Sequence, residues 1–236
     1  MSNTANLELP LVMASQAQKH VTVNNALARL DAAVQMTLNS LSVTVPPASA
    51  VEGAVYAVPV GASGDWAGEI GKLAVFSNGG WDFVAPKRGW RGWVADAGQA
   101  VLHDGMGWVP HAVAVSANGA ASLFEVIEID VPISAGASLT TADVIPARSV
   151  VFGVTGIVTT TLTGTVGTWK LGVPGGSGQY GSGLGASLGS WVEGLSGQPQ
   201  AFYAPTPLLI EAESGTFAGG DIRLAVHIFR MQVPRV

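Results

Sequence analysis

Cysteine is absent from the sequence. That excludes disulfide staples, thiolate metal sites and thiol nucleophiles, and leaves His and carboxylates as the available metal ligands. Ionic side chains are scarce as well: Asp, Glu, Lys and Arg supply 11% of 236 residues, whereas an ordinary soluble domain has roughly 25%. Positive charge is scarcer than negative, with 11 Lys and Arg against 16 Asp and Glu. Lys87, Arg88 and Arg91 form the one tight basic cluster. A nucleic-acid partner, which requires a clustered basic surface to displace counterions, is therefore not expected. Met1–Pro10 has neither a basic segment nor an apolar core of the kind a signal peptide uses, so synthesis in the cytoplasm without ordinary export is expected. Ser149–Trp169 is free of charge, but it is filled with Gly and Thr, which suits strands and not a membrane helix.

What the sequence does have is apolar residues at 48%, Gly 31 and Pro 13. Glycine spread among Val, Ile and Thr runs predicts a mainly β body with many turns. Few charges and many apolar residues together predict that part of the surface is covered by further copies of the chain.

Three textures divide the chain into segments 1–45, 46–115 and 123–236. In the first, Val23, Leu27, Leu30, Val34, Leu38 and Leu41 recur at spacings of three and four, which predicts a helix from about Gln16 to Ser42. Thr22 or Asn24 would cap it, Arg29 and Asp31 would face solvent, and Pro46 and Pro47 would end it. Its apolar stripe is a candidate oligomerisation surface, with packing on the chain's own β structure as the alternative.

The second segment predicts a small β module with five of the seven Trp: Trp66, Trp81, Trp90, Trp93 and Trp108. Short strands are expected at Ala54–Val60, Lys72–Ser77, Trp81–Ala85, Gly92–Ala95 and Ala100–Asp104. Asn78-Gly79-Gly80 predicts a hairpin turn, because Asn and Gly accept positive φ. Asp104-Gly105-Met106-Gly107 repeats the device. Trp supplies much core volume to a small fold, which favours packing over a ligand platform.

Ser116–Ser122 reads as a linker. Beyond it, strands are expected at Leu123–Val131, Ser149–Thr163, Val166–Val173, Pro207–Glu213 and Asp221–Met231. They predict an antiparallel, jelly-roll-like β-sandwich serving as a receptor-binding domain. Pro174–Gln200 reads as a long Gly/Ser-rich loop.

Catalytic patterns are weak. Gly185-Ala186-Ser187-Leu188-Gly189 matches a nucleophile elbow, with Asp221 and His227 following, but the strand–turn–helix context is missing. Asp221 and His227 would also stand roughly 20 Å apart on one strand. Glu211 and Glu213 share a strand face at roughly 7 Å, a spacing suited to an inverting glycosidase. Carboxylates on an exposed strand more often serve solubility, so no enzyme is expected. His20, His103, His111 and His227 are dispersed, so neither a metal nor another cofactor is expected. Binding remains: Tyr180, Trp191, Gln198 and Tyr203 supply aromatic faces and a planar amide suited to a polysaccharide, or equally to subunit packing.

Leu9-Pro10-Leu11-Val12, Gln16-Ala17-Gln18-Lys19-His20-Val21-Thr22 and Ala26-Leu27-Ala28-Arg29-Leu30-Asp31 resemble a domain of unknown function found in alphaproteobacterial prophages and gene transfer agents. Pro47, Gly53, Tyr56, Gly64-Asp65-Trp66-Ala67-Gly68, Gly80-Trp81-Asp82-Phe83, Pro86, Gly89-Trp90 and Trp93-Val94-Ala95-Asp96 continue the likeness over about the first 110 residues. Asn25 departs from it, standing where relatives carry an acid, which weakens a capping box at Thr22. The resemblance implies a head-spike or fibre protein of a phage-like particle, with a place on the particle surface after lysis, that recognises capsular polysaccharide on the host cell. The partners it implies are copies of itself, as a trimer or pentamer, other particle or capsid proteins, and host cell-surface polysaccharide. Neither nucleic acid nor membrane insertion is expected. A capsule depolymerase using Glu211 and Glu213, and a purely structural collar, are the alternatives.

Overall fold

The computed structural model describes residues 3–13 and 19–236. The chain divides into two compact units, residues 1–121 with 234–236, and residues 122–233. The arm, helix and Trp-rich segments expected to be separate thus share one unit. The last three residues belong to that unit and not to the sandwich.

In the first unit, helix α1 runs from Lys19 to Ala33. Gln16–Gln18, where the helix was expected to begin, lie outside the described residues. The helix stops well short of Ser42, because Gln35 adopts a left-handed φ of 51° and turns the chain into strand β1 (Thr37–Leu38). The six-residue stripe is therefore broken. Val23, Leu30 and Val34 are exposed, while Leu38 is 0% exposed in the unit's own core and Leu41 packs against that core. Leu38 is thereby unavailable as an oligomerisation contact.

Neither helix cap forms as expected, because Thr22 and Asn24 both lie inside α1. The Asn24 side chain instead accepts from the Val12 N–H at 2.9 Å and donates to the Val12 carbonyl at 3.1 Å, holding the arm as a neighbouring strand would. Asp31, expected in solvent, is buried. It accepts from the Thr4 hydroxyl at 2.6 Å and from the N–H groups of Asn6 and Leu7 at 3.0 and 2.7 Å. A buried carboxylate needs such donors, and the arm supplies them. Arg29 does face solvent, where it makes a two-pronged contact with Asp82 at 2.8 and 3.2 Å.

Two small sheets complete this unit. Strands β2 (Val55–Ala57), β3 (Leu73–Ser77) and β4 (Gly80–Val84) form an antiparallel meander. Asn78 and Gly79, with φ of 52° and 75°, make the expected tight turn between Ser77 and Gly80. Strands β5 (Arg91–Val94), β6 (Gln99–His103) and β7 (Trp108–Pro110) join β1, which pairs with β5 in parallel; β8 (Ala112–Val115) follows. Ala32 and Met36 meet Val55, Leu73, Val75 and Val94 in the core. Beside it Trp66, fully buried, packs against Tyr56 and Trp81 with ring centroids 5.3 and 5.1 Å away. These Trp side chains are filler, as their residue type predicts. Ser116–Ala120 is a hydrogen-bonded turn and not a loose linker: Ser116 N–H donates to the Ala120 carbonyl at 2.8 Å and Ala120 N–H to the Ser116 hydroxyl at 3.0 Å.

The second unit is built from β9 (Ala121–Pro132), β10 (Ser138–Ile145), β11 (Ser149–Gly164), β12 (Thr168–Val173), β13 (Gly176–Gly185), β14 (Trp191–Phe202), β15 (Thr206–Ala212) and β16 (Phe217–Gln232). One sheet has the order β14-β11-β16-β9 and the other β13-β12-β15-β10. Each strand's chain neighbours lie mostly in the opposite sheet, which is the double Greek key of a jelly roll. Val154, Val158, Leu224 and Val226 of the first sheet interlock with Trp169, Leu171, Leu208 and Ile210 of the second, all essentially without exposure.

The stretch expected as a long loop is instead β13 and β14, joined by the turn Ala186–Ser190. Crowding demands glycine at the closest approaches: a Cβ on Gly194 of β14 would lie 1.9 Å from the Tyr180 carbonyl oxygen of β13, and one on Gly172 of β12 2.1 Å from the carbonyl oxygen of Gly176. Residues that read as flexible filler are the ones that let these backbones approach.

Candidate functional site

The residues expected to form one binding loop are distributed by the jelly roll over different places. Tyr180 points into the core and is 2% exposed, so it cannot touch a polysaccharide. Burial raises its phenol pKa to about 12, and its hydroxyl has no partner among the described residues. Trp191 opens β14 opposite Ile157, and Phe202 closes it opposite Ser149. Eight residues of β11 separate those two rows, about 25 Å at strand spacing. Trp191, 67% exposed, and Tyr203, 85% exposed, are therefore not parts of one contact.

Near the far end of β14 the pairing slips: Leu195 faces Gly153 but Gln200 faces Val151, so the chain bulges between them. Gln198 lies on this bulge and is exposed, with Tyr203 just beyond the strand. The Gln179 amide donates to the Gln200 side-chain carbonyl, adding two more planar amides at the same end. Exposed aromatic and amide groups carried by a rigid strand are the recognition chemistry that sugars require. The glutamine pair was missed at the sequence level, because its two members come from strands that looked like loop.

The carboxylate pair is engaged. Glu211 accepts from the Ser177 hydroxyl and lies 3.7 Å from Lys170, while Glu213 accepts from the Gly183 N–H at 2.8 Å. Ser187 sits in the β13–β14 turn. His227 is bonded to the Thr155 hydroxyl at 3.0 Å, and Asp221 pairs with Thr160 on the neighbouring strand. The hydrolase-like pattern is thus scattered along β-structure. Among the described residues no group of three or more His, Asp or Glu is placed to hold a metal ion, and no helix is long and apolar enough to cross a membrane.

The outward face of the β14-β11-β16-β9 sheet is the other conspicuous surface. Phe124 of β9 stacks on Phe152 of β11, with centroids 5.7 Å apart and planes 20° apart, and packs at 5.2 Å on Phe229 of β16. Aromatic clusters belong in cores, yet this one faces out of the sandwich. A separate open recess of about 510 Å³ lies in the first unit beside Gln35, Thr37, Arg91 and the half-exposed Trp93.

The family comparison bears on the first unit. Residues 23–109 match a family described as "Protein of unknown function (DUF2793)", so the resemblance of the amino-terminal segments to a domain of unknown function holds over those residues. No curated protein matches the chain. Among solved structures, a chain of the cyanophage Pam1 capsid asymmetric unit is 22% identical over 50% of this chain and 92% of its own length, with a TM-score of 0.38. A likeness of that size carries no argument about role.

Proposed function

We propose that the chain is a structural and receptor-binding subunit of a phage-like particle, a head spike of the gene-transfer-agent kind, that holds host capsular polysaccharide without cutting it. The observation that supports this reading most directly is the exposed set of Gln198 and Gln200 on β14 and Tyr203 just beyond it, on a jelly roll whose one candidate acid pair is tied up in hydrogen bonds. Tyr203 offers a face for the C–H side of a sugar ring, and the amides offer a donor and an acceptor each. Single contacts of this kind are weak. Several copies on one particle engage a repeating polymer together, and avidity supplies the hold.

The test is retention of capsular polysaccharide on the purified protein, with polymer length measured before and after. Retention at unchanged length supports the reading, and Tyr203→Ala should lower it severalfold. Shortened chains would establish a depolymerase in its place, and no retention would leave a structural collar.

A further inference from the structure

We propose that the outward face of the β14-β11-β16-β9 sheet is where copies of this chain associate. Strand alternation sends Val151, Val154, Leu224 and Val226 inward, and so turns their neighbours out. In the middle of that outer face β11 presents Phe152, Thr155 and Ile157, and β16 presents Ala225, His227 and Phe229. None of these carries a carboxylate, ammonium or guanidinium group. The two polar side chains of this group satisfy each other, Thr155 with His227 at 3.0 Å, so the centre can be dried without orphaning either.

Charge collects at the margins. Glu193 lies on the outer strand β14, while Arg223 is held by Asp130 of β9 at 2.7 and 2.9 Å, with Glu128 of the same strand 3.7 Å away. An apolar, aromatic centre within a charged rim is how protein interfaces are organised.

The area fits a partner of this chain's own size. Phe124, Val126, Phe152, Ile157, Trp191 and Leu195 are exposed by 37% to 76%. With full side-chain areas of roughly 150–250 Å², they leave on the order of 700 Å² of apolar surface in water, above the roughly 300–600 Å² patch of a typical monomer and close to the roughly 800 Å² each partner of a standard interface buries. A second copy is the occupant consistent with the whole sequence, because a chain with 11% charged residues is itself short of the surface that a free monomer needs. Trp191 is thereby assigned to subunit packing and not to sugar.

This inference deepens the assembly part of the proposed function, and its readout is mass, so it stands or falls apart from polysaccharide retention. The full chain is weighed by light scattering at micromolar concentration, beside Phe124→Glu/Leu195→Glu and, on the exposed helix, Leu30→Glu. The expected result is a wild-type mass that is a multiple of 24.0 kDa, a double variant that is folded by circular dichroism yet runs as a single chain, and an unchanged oligomer for Leu30→Glu. A wild-type single chain would give the face to a different particle protein and overturn the proposal. So would a double variant that stays assembled, or dissociation by Leu30→Glu. If the double variant misfolds, Leu195→Ala only trims an exposed side chain, and it should still weaken association by roughly fivefold or more; unchanged association would count against the interface.

Discussion

Asp104 gives the sharpest test of how the first unit is held. Its carboxylate is 0% exposed and begins the turn between β6 and β7. One oxygen accepts from the N–H groups of Met106 and Gly107 at 2.8 and 2.9 Å, and the other takes Arg235 at 2.6 Å. Arg88 steadies the same residue by donating to its backbone carbonyl at 2.8 Å. Burial alone would raise the carboxyl pKa, but the Arg235 contact and the two N–H donors outweigh it, and the pKa falls from 3.8 to about 2. The folded state therefore favours the ionised form. That difference corresponds to about 2 kcal/mol of stability, fully present above the unfolded pKa of about 4, roughly halved by pH 3 and lost as pH falls through about 2.

Asp104→Asn keeps an acceptor for the turn but places an amide donor against the guanidinium. It should cost about 2 kcal/mol at pH 7, with the gap to wild type narrowing between pH 4 and pH 2. Urea unfolding followed by tryptophan fluorescence reports mainly on this unit, which holds five of the seven Trp. A cost at pH 7 below about 0.5 kcal/mol, or a gap as wide at pH 2.5 as at pH 7, would refute the reasoning.

Two further outcomes follow from the jelly roll. Gly194→Ala places a Cβ 1.9 Å from the Tyr180 carbonyl oxygen, backbone against backbone, and should cost about 3 kcal/mol or more in urea unfolding; a loss under about 1 kcal/mol would show that β13 and β14 are not this close. Tyr180→Phe removes a buried hydroxyl that lacks a partner among the described residues, and so should leave the unfolding midpoint unchanged or raise it by up to about 1 kcal/mol in stability, with polysaccharide retention untouched; a clear loss of stability would mean that the hydroxyl is bonded.

Strands built from alternating branched residues were legible from sequence: Asp221–Met231 lies within β16, and the Asn78-Gly79 turn falls where its φ preference put it. What failed did so for identifiable reasons. The stripe through Leu38 has helical spacing, but Gln35 breaks the helix and burial in a parallel strand pair claims the leucine. Asp31 looked solvated because its donors, Thr4, Asn6 and Leu7, are remote in the chain. In β13 and β14 the composition indicated a loop, since local propensity does not register that two backbones must pass within a side chain's radius. The candidate sugar contacts were misgrouped for the same reason: once Pro174–Gln200 is strand, Tyr180 turns inward and Trp191 moves to the opposite end from Tyr203.

Asp104 and Arg235 also impose an order of events. A nascent chain with its first 121 residues outside the ribosome already carries the acid, but its cation arrives only after the entire jelly roll has been translated. A chain truncated anywhere in between keeps an acid without its cation in its amino-terminal body. Unfinished chains are thus weakened at a point far from the break.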